Sequence, residues 1–580
     1  MSNYLYHIDN IKIKNNPPIN ASNINVFVGA NNCGKTQLLK DMLSYITGDP
    51  NPTILLDELS IPYPENWVQF TKTYPMEITE SNGISQIRHI SATLDKEPSG
   101  PSQSNLLTNL GLWLQNNKRQ FRKATGTGLV TFLNTDNRLK LAMSQPVQNI
   151  HQKGAKNVLE ALYLSGREST EKVREIIKDI FNVDIYLDPT NLGMLQCKVG
   201  NNFSQIPSNP QDAYKQLQTY PLLDNQGDGI RSVFGIITAI VSIKKPIILL
   251  DEPEAFLHPP QALKLGAIIS NLIDEHQQIF ISTHSADFLR GLLSSTRNAS
   301  IIHVKRNAED KTTTNELDSQ TLNQIITDPL LSSSRVLEGM FYKGVVATEA
   351  DADTVFYQRL FQKISSDEIH FVNAHNKQTL KKLIEPYNKL GIKFAMIADS
   401  DVIRDKYEFQ NILSITDSTE TQREILTLRD EIYNYFQSKN KYDILLELKN
   451  KTQELCNTPL PEVTDSPEKI NSSLFDFRSA LKKLRDDSDE LAEFKAKGYT
   501  CLPENLQTSF NNLWDRCSKI GLFIVKVGEL ESWLLDYGVA RTANKSKWIV
   551  HALDKLFEIT YDENKEIWKF MKELKKYLLS

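Results

Sequence analysis

No pair of cysteines in this chain is spaced as CxxC. The five present, Cys33, Cys197, Cys456, Cys501 and Cys517, are odd in number and scattered over 580 residues. That excludes a zinc ribbon and a disulfide framework, and reduced thiols in a cytoplasmic protein are the simplest expectation. Long apolar runs are also lacking. The longest, Val233 to Ile243, falls well short of the ~20 residues that cross a bilayer, so it predicts a buried helix and no membrane partner. Met1-Ser2-Asn3-Tyr4-Leu5 has no basic stretch leading into an apolar one, so no secretory signal is expected. Positive charge is not in surplus: 66 Lys and Arg against 71 Asp and Glu leave a net charge of -5. A uniformly basic nucleic-acid coat is thereby excluded, but local basic grooves are not. There is no internal repeat, no low-complexity tract and no long heptad pattern.

What is present is ordinary for core-forming protein: 40% hydrophobic and 24% charged residues, enough for two or three domains. Residues 4–13 and 23–29 read as strands, and 35–46 as a helix with Leu38, Leu39, Met42, Leu43 and Ile46 on one face. Residues 68–95 and 129–143 alternate like hairpins, with turn signals at Ser81-Asn82-Gly83 and Thr135-Asp136-Asn137. Helical periodicity marks 103–117, 154–165 and 169–182. An α/β alternation follows: helix 229–243, strand 246–250, helix 259–276, strand 278–283, helix 285–293 and strand 299–306. A second begins with strand 344–349 and continues through helix 352–364, strand 369–374, helix 377–391 and strand 393–399. Residues 403–500 are charged and mostly helical, clearest at Gln422–Lys439 and Ser473–Lys495, before strand 522–527 resumes the sheet. Such alternation implies parallel sheets.

Two sets of residues carry chemistry. Gly29-Ala30-Asn31-Asn32-Cys33-Gly34-Lys35-Thr36 satisfies GxxxxGK[ST] between a strand and a helix. The loop from Gly29 through Asn32 to Gly34 and Gln37 would cradle phosphates on backbone N–H groups. Lys35 would reach the β- and γ-phosphates of ATP and Thr36 would ligate Mg²⁺. The apolar strand Pro246 to Leu250 ends in Asp251-Glu252. Asp251 would hold the metal and Glu252 would orient or deprotonate the attacking water. Strand 278–283 ends in Thr283-His284-Ser285, where His284 would face the γ-phosphate.

The second set is Glu349, after the strand Val345–Thr348, and Asp399-Ser400-Asp401, after Phe394–Ala398. In a parallel sheet both acidic ends fall at one C-terminal edge. Three carboxylates there would suit Mg²⁺ or Mn²⁺ and leave room for a substrate phosphate. Asp353 is a further acid nearby. Val527-Gly528-Glu529-Leu530-Glu531 puts acid after another apolar strand, with Glu531 the preferred metal ligand and Glu529 beside it. Lys118-Arg119-Gln120-Phe121-Arg122-Lys123 could line a DNA path or form a solvated helix face. Arg167 could approach a phosphate, though nothing in its spacing requires it.

The first set resembles ABC-type ATPase heads. Asp251-Glu252-Pro253-Glu254 with Leu257-His258-Pro259 looks like the Walker B and D-loop, and His284 like the switch histidine. Gln226-Gly227-Asp228-Gly229-Ile230-Arg231-Ser232 sits where those heads carry their signature, though it departs from Leu-Ser-Gly-Gly-Gln. The resemblance implies that Gly227 and Gly229 cap ATP on a second subunit, and hence a head-to-head homodimer or higher oligomer. The second set resembles a TOPRIM domain, departing from it at Ala350, where glycine is usual, and the resemblance implies that Lys547, with Lys545 as the alternative, stabilises transition-state charge.

The order of the two is similar to the OLD (overcoming lysogenization defect) family, whose relatives include the Gabija nuclease subunit and retron-linked effectors. The resemblance implies an ABC-type head over 1–335, with inserted hairpins and helices at about 95–225 as a candidate dimerisation region. A TOPRIM domain over 340–580 follows, with a helical insertion at about 403–515. It implies an ATP-binding, metal-dependent endonuclease on DNA, acting in antiviral defence beside a partner such as a reverse transcriptase with its nucleic-acid product, or a helicase. The alternative of another class is an ATPase sensor with a non-cleaving TOPRIM-like domain and a separate nuclease, as in Septu-type systems.

Overall fold

The computed structural model describes residues 4–579 apart from 75, 82–83, 90–98, 101–102, 148–149, 151–154, 156, 204, 296–298, 307–310, 417, 439–440, 463–465, 488, 490 and 543–544. The chain divides into two compact units: Met1–Tyr342 with Lys389–Gly391, and Lys343–Asn388 with Ile392–Ser580.

The first unit is built on a six-stranded sheet. Its strands are β1 (Ile24–Val28), β2 (Val130–Leu133), β3 (Ile247–Asp251), β4 (Gln278–Ser282), β5 (Ala299–Arg306) and β6 (Thr312–Glu316). Their order is β6-β5-β1-β4-β3-β2, parallel except where β6 pairs with β5. Every residue of β1 and β3 is buried, as a parallel sheet covered on both faces requires. Each aliphatic side chain of Ile247-Ile248-Leu249-Leu250 contributes roughly 1.5–3 kcal/mol by burial. Helix α1 (Lys35–Ile46) buries Leu38, Leu39, Met42 and Ile46 at the 3.6-residue period. The other helices used below are α2 (Thr135–Leu141), α3 (Asp228–Thr238), α4 (Pro259–Leu272) and α5 (Ala286–Ser295). The apolar run that opens at Val233 is buried, as expected. Helix α3 widens into a π turn over Ala239–Ile243 and stops at Lys244, whose φ of 50° is left-handed.

Two hairpin expectations need correction. Residues 129–143 form no hairpin: β2 is the edge strand parallel to β3, and Thr135-Asp136-Asn137 opens helix α2, capped by Asn134 accepting from the Asn137 N–H. An Asn before Thr-Asp serves as an N-cap as readily as a turn, and short-range pattern cannot separate the two. Residues 67–73 are helix, and the hairpin is Met76–Ser81 with Ile84–His89; part of its turn and residues 91–95 lie outside the described residues.

The second unit carries a four-stranded parallel sheet: β7 (Gly344–Thr348), β8 (Ile369–Asn373), β9 (Lys393–Ala398) and β10 (Leu522–Ile524), in the order β8-β7-β9-β10. Helices α6 (Asp351–Ile364) and α7 (Lys377–Lys389) make the crossovers, α8 (Ala492–Lys497) lies within the helical insertion, and α9 (Glu566–Leu579) lies near the chain end. In the insertion Thr419–Gln437 packs on Glu504–Lys519 through Ile425, Ile432, Phe436, Phe510 and Leu513. Among the described residues no helix is long and apolar enough to cross a membrane.

Candidate functional site

In the first unit the glycine-rich loop joins β1 to α1. Gly29 has φ 146°, and a Cβ there would meet the Val304 carbonyl oxygen at 2.3 Å, so a side chain is excluded twice over. Asn32 also takes a positive φ, 61°, and Gly34 begins the helix in the left-handed region. Lys35 is buried and its Nζ donates to the Gly29 oxygen at 2.7 Å and the Ala30 oxygen at 3.0 Å. Its ammonium therefore sits inside the loop that would cradle phosphates. The Thr36 hydroxyl donates to Asp251 Oδ1 at 2.9 Å. This bond brings together two predicted Mg²⁺ ligands that are 215 positions apart. Gln37 is turned away: its amide donates to Asp41, whose other oxygen accepts the Leu55 and Leu56 N–H groups, so it supports the loop from behind.

Beyond β3 the backbone is tightly held. Glu252 has φ 48°. Arg138 of α2 is fully buried and donates to the Asp251 oxygen at 2.6 Å and the Glu252 oxygen at 2.7 Å. His284 Nδ1 lies 3.5 Å from Glu252 Oε1 and 3.4 Å from Glu254 Oε1. Glu254 is buried, and its Oε1 accepts the Thr283 hydroxyl and the His284 N–H, both at 2.9 Å. Burial raises the Glu254 carboxyl above its ordinary pKa, and the contacts with His284 and Thr283 pull it back. Glu254 thus fixes the turn that presents His284 next to Glu252. Gly227 caps α3 and is exposed; a Cβ at Gly229 would press on the Phe256 oxygen at 2.8 Å. The signature-like segment therefore packs on the residues that follow Glu252.

In the second unit Glu349 and Asp399 each stand one residue past the ends of the adjacent strands β7 and β9. The Asp399 N–H donates to Glu349 Oε1 at 3.1 Å. Burial and the Asp399 charge push the Glu349 carboxyl up to about 8, against the opposing pull of Lys377. Asp353 and Glu531 are both buried. Burial, together with the charges of Asp353, Asp399 and Glu531, raises the Tyr357 phenol far above its usual range, and its oxygen accepts from Trp533 Nε1 at 2.8 Å. One buried phenol thus feels three of the predicted metal ligands.

Asp401 departs from expectation. It pairs with Lys377, and its Oδ2 lies 2.9 Å from Lys495 of α8. Asp489, 3.7 Å from Lys495, also pairs with Arg404. Close approach of α8 is permitted by Gly528, whose φ is 110° and whose Cβ would meet the Lys495 oxygen at 2.1 Å. Among the described residues, no group of three His, Cys, Asp or Glu side chains is arranged to hold a cation. The three-carboxylate pocket read from the sequence is thus a pair, Glu349 with Asp399, while a lysine pair draws Asp401 aside. The donors are all carboxylate oxygens and Glu349 is disfavoured as an anion, so a hard divalent cation fits the chemistry of this edge.

The two doubtful pairs of candidates separate. Glu529 is committed to Arg541, whereas Glu531 is buried near the acidic group. Lys547 is exposed on the helix Lys545–Glu558, and the Lys545 side chain lies outside the described residues. The lysine facing the acids is Lys377, missed in the sequence because it lies four residues past β8. Burial lowers its pKa, with Glu349 and Asp399 opposing that shift. Its signal was positional: β8 ends at the same sheet edge. Arg122 stacks 4.1 Å over the Tyr45 ring and donates to the Tyr45 oxygen, and Lys118 lies 4.5 Å over Tyr63, so the 118–123 stretch is largely engaged within the fold.

The Glu349 shift has a measurable consequence without metal. Between pH 4.5 and about 8 the folded chain keeps a proton that the unfolded chain releases. Metal-free stability should fall as pH rises through that window and level off above it. Thermal unfolding across pH 5–9 checks this, and Glu349→Gln should flatten the curve; an equally steep curve in that variant contradicts the assignment.

Comparison with known proteins matches these two arrangements separately. Residues 114–289 match the AAA ATPase domain family, and residues 340–401 match the overcoming lysogenization defect protein-like TOPRIM domain. The chain thus carries a match to an ATPase domain followed by a match to an OLD-like TOPRIM domain. It is 22% identical over 338 residues to the Old nuclease of Escherichia phage P2, a match covering 56% of this chain and 48% of that protein. The chain therefore spans about half the length of the curated relative it matches. Among solved structures, the SMC head domain from Thermotoga maritima is 11% identical, covering 54% of this chain and 99% of that one with a TM-score of 0.27. An ATP-binding cassette of an ABC transporter is 12% identical, covering 57% and 98% with a TM-score of 0.24. The largely parallel sheet with its P-loop and the parallel sheet of the TOPRIM match are the α/β fold class expected from the sequence.

Proposed function

We propose that this chain is an ATP-binding and ATP-hydrolysing, Mg²⁺- or Mn²⁺-dependent DNA endonuclease of the OLD type. The observation that carries the reading is Glu349 and Asp399 meeting at one edge of a parallel sheet, with Lys377 facing both. Glu349 and Asp399 would hold the metal, and the buried Asp353 and Glu531 would add negative charge around it. A bound divalent ion there supplies charge neutralisation and a water acidic enough to attack a phosphodiester. Lys377 would offset the charge growing on the phosphate, the role given in the sequence reading to Lys547. In the other unit Lys35 and Thr36 would bind ATP and its Mg²⁺ with Asp251, and Glu252, paired with His284, would orient water. Gly227 is exposed at the start of α3, which supports a head-to-head dimer in which this segment caps a partner's nucleotide. A role in antiviral defence rests on the family resemblance.

Purified chain should cut supercoiled DNA with Mg²⁺ or Mn²⁺ and not with a chelator. One observation favours a second reading, a non-cleaving sensor: Asp401 is held by Lys377 and Lys495. No cutting with either metal, at any ATP concentration, would select that reading.

A further inference from the structure

Helix α6 starts two residues past Glu349 and runs 14 residues, so its last turn lies roughly 20 Å from the acidic edge at 1.5 Å per residue. Beside that last turn is a surface basin of about 1010 Å³. Lys363, Lys572, Lys575 and Lys576 line it with Tyr561 and a single carboxylate, Glu573. Four cations against one anion is a local excess in a chain of net charge -5.

The lysines divide the work. Lys363 Nζ donates to the Ile559 oxygen at 3.0 Å and Lys575 Nζ to the Ile364 oxygen at 2.9 Å. These two bonds tie α6, the 559–561 segment and α9 into fixed walls. Lys572 and Lys576 project from α9 on the same face, four residues apart. Lys576 is 77% exposed and only loosely paired with Glu573, at 3.9 Å. Tyr561 is 46% exposed, and its ring is held edge-on against the buried Trp568 at 5.5 Å. The basin thus presents a rigid aromatic ring among ammonium groups.

We propose that this basin binds single-stranded nucleic acid, with a base stacked on Tyr561 and flanking phosphates on Lys572 and Lys576. A planar face beside exposed cations matches an unstacked base and its backbone. A duplex hides its base faces, and a lone lysine patch would not need the ring. The site is separate from the carboxylate edge, at the opposite end of α6, and so goes beyond the cleavage reading.

The test uses full-length chain carrying Asp399→Asn, so that binding is read without cleavage. Labelled single-stranded DNA and RNA oligonucleotides are titrated by fluorescence anisotropy at several salt concentrations. Adding Lys572→Glu with Lys576→Glu should weaken binding at least about tenfold and flatten the log–log salt slope by about 1.4, at 0.7 per phosphate contact. Tyr561→Ala should weaken binding about tenfold with the slope unchanged. Circular dichroism and a melting curve superimposable on those of the parent check that each variant is folded. The proposal is overturned if both variants bind within twofold of their parent. It is equally overturned if vesicles of acidic phospholipid bind with the same residue dependence and oligonucleotides do not. Neither result depends on whether the unmodified chain cuts DNA, because cleavage plays no part in the readout.

Discussion

Asp399→Asn is expected to lower DNA cleavage at least about a hundredfold while leaving ATP binding within twofold. The substitution keeps the volume of the side chain and leaves the backbone N–H that Glu349 accepts. What it removes is the second negative charge at the edge. A divalent cation then loses a ligand, and the charge developing on a phosphodiester loses its counterweight. The same change should stabilise the metal-free protein above pH 7, because the Asp399 charge is one of the two main reasons why Glu349 resists ionisation. Activity and stability are therefore predicted to move in opposite directions. Single-turnover cleavage and a melting curve on one preparation check both, and undiminished cutting would remove the carboxylate edge from the mechanism.

Arg138→Met should destabilise the first unit by about 3–5 kcal/mol. Arg138 is fully buried and spans the Asp251 and Glu252 carbonyl oxygens with two separate nitrogens. Methionine fills much of the volume but leaves the Asp251 oxygen without its Arg138 donor, at about 1–3 kcal/mol, leaves the Glu252 oxygen with the Ala255 N–H alone, and removes the positive charge facing buried Glu254. Nearby, a Cβ at Gly235 would meet the Arg138 oxygen at 2.3 Å, so α3 is pressed against this residue and has little room to relax. Lysine cannot reproduce the two-pronged geometry and should not rescue. Denaturant unfolding followed from the first unit measures the loss. A change under about 1 kcal/mol would mean that the end of β3 is held by other contacts.

The parts of the molecule that chemistry fixes locally were legible from residues alone. The P-loop turn, α1, β3 with Asp251-Glu252, and both acidic strand ends follow from short spacings and continuous apolar runs. Glu349 and Asp399 fall at one edge because parallel strands must end together. What escaped were residues placed by tertiary geometry. Arg138 lies in a segment whose Asn-Thr-Asp signal suits a turn and an N-cap equally. Lys377 stands in a helix start with no motif of its own, and Glu254 looked like part of the DEPE pattern, not the anchor of His284. Asp401 failed for another reason. Two residues of separation in an extended strand would put it beside Asp399, but the chain turns into a short 3₁₀ segment at Ser400–Ile403, which swings Asp401 toward Lys377 and Lys495.

The central claim is that the TOPRIM edge is a divalent-metal centre independent of the nucleotide site. Mn²⁺ binding measured by calorimetry on nucleotide-free protein tests it most directly. The account predicts binding that survives Lys35→Ala and is lost in Asp399→Asn. Binding that persists in Asp399→Asn, or that disappears in Lys35→Ala, would contradict it.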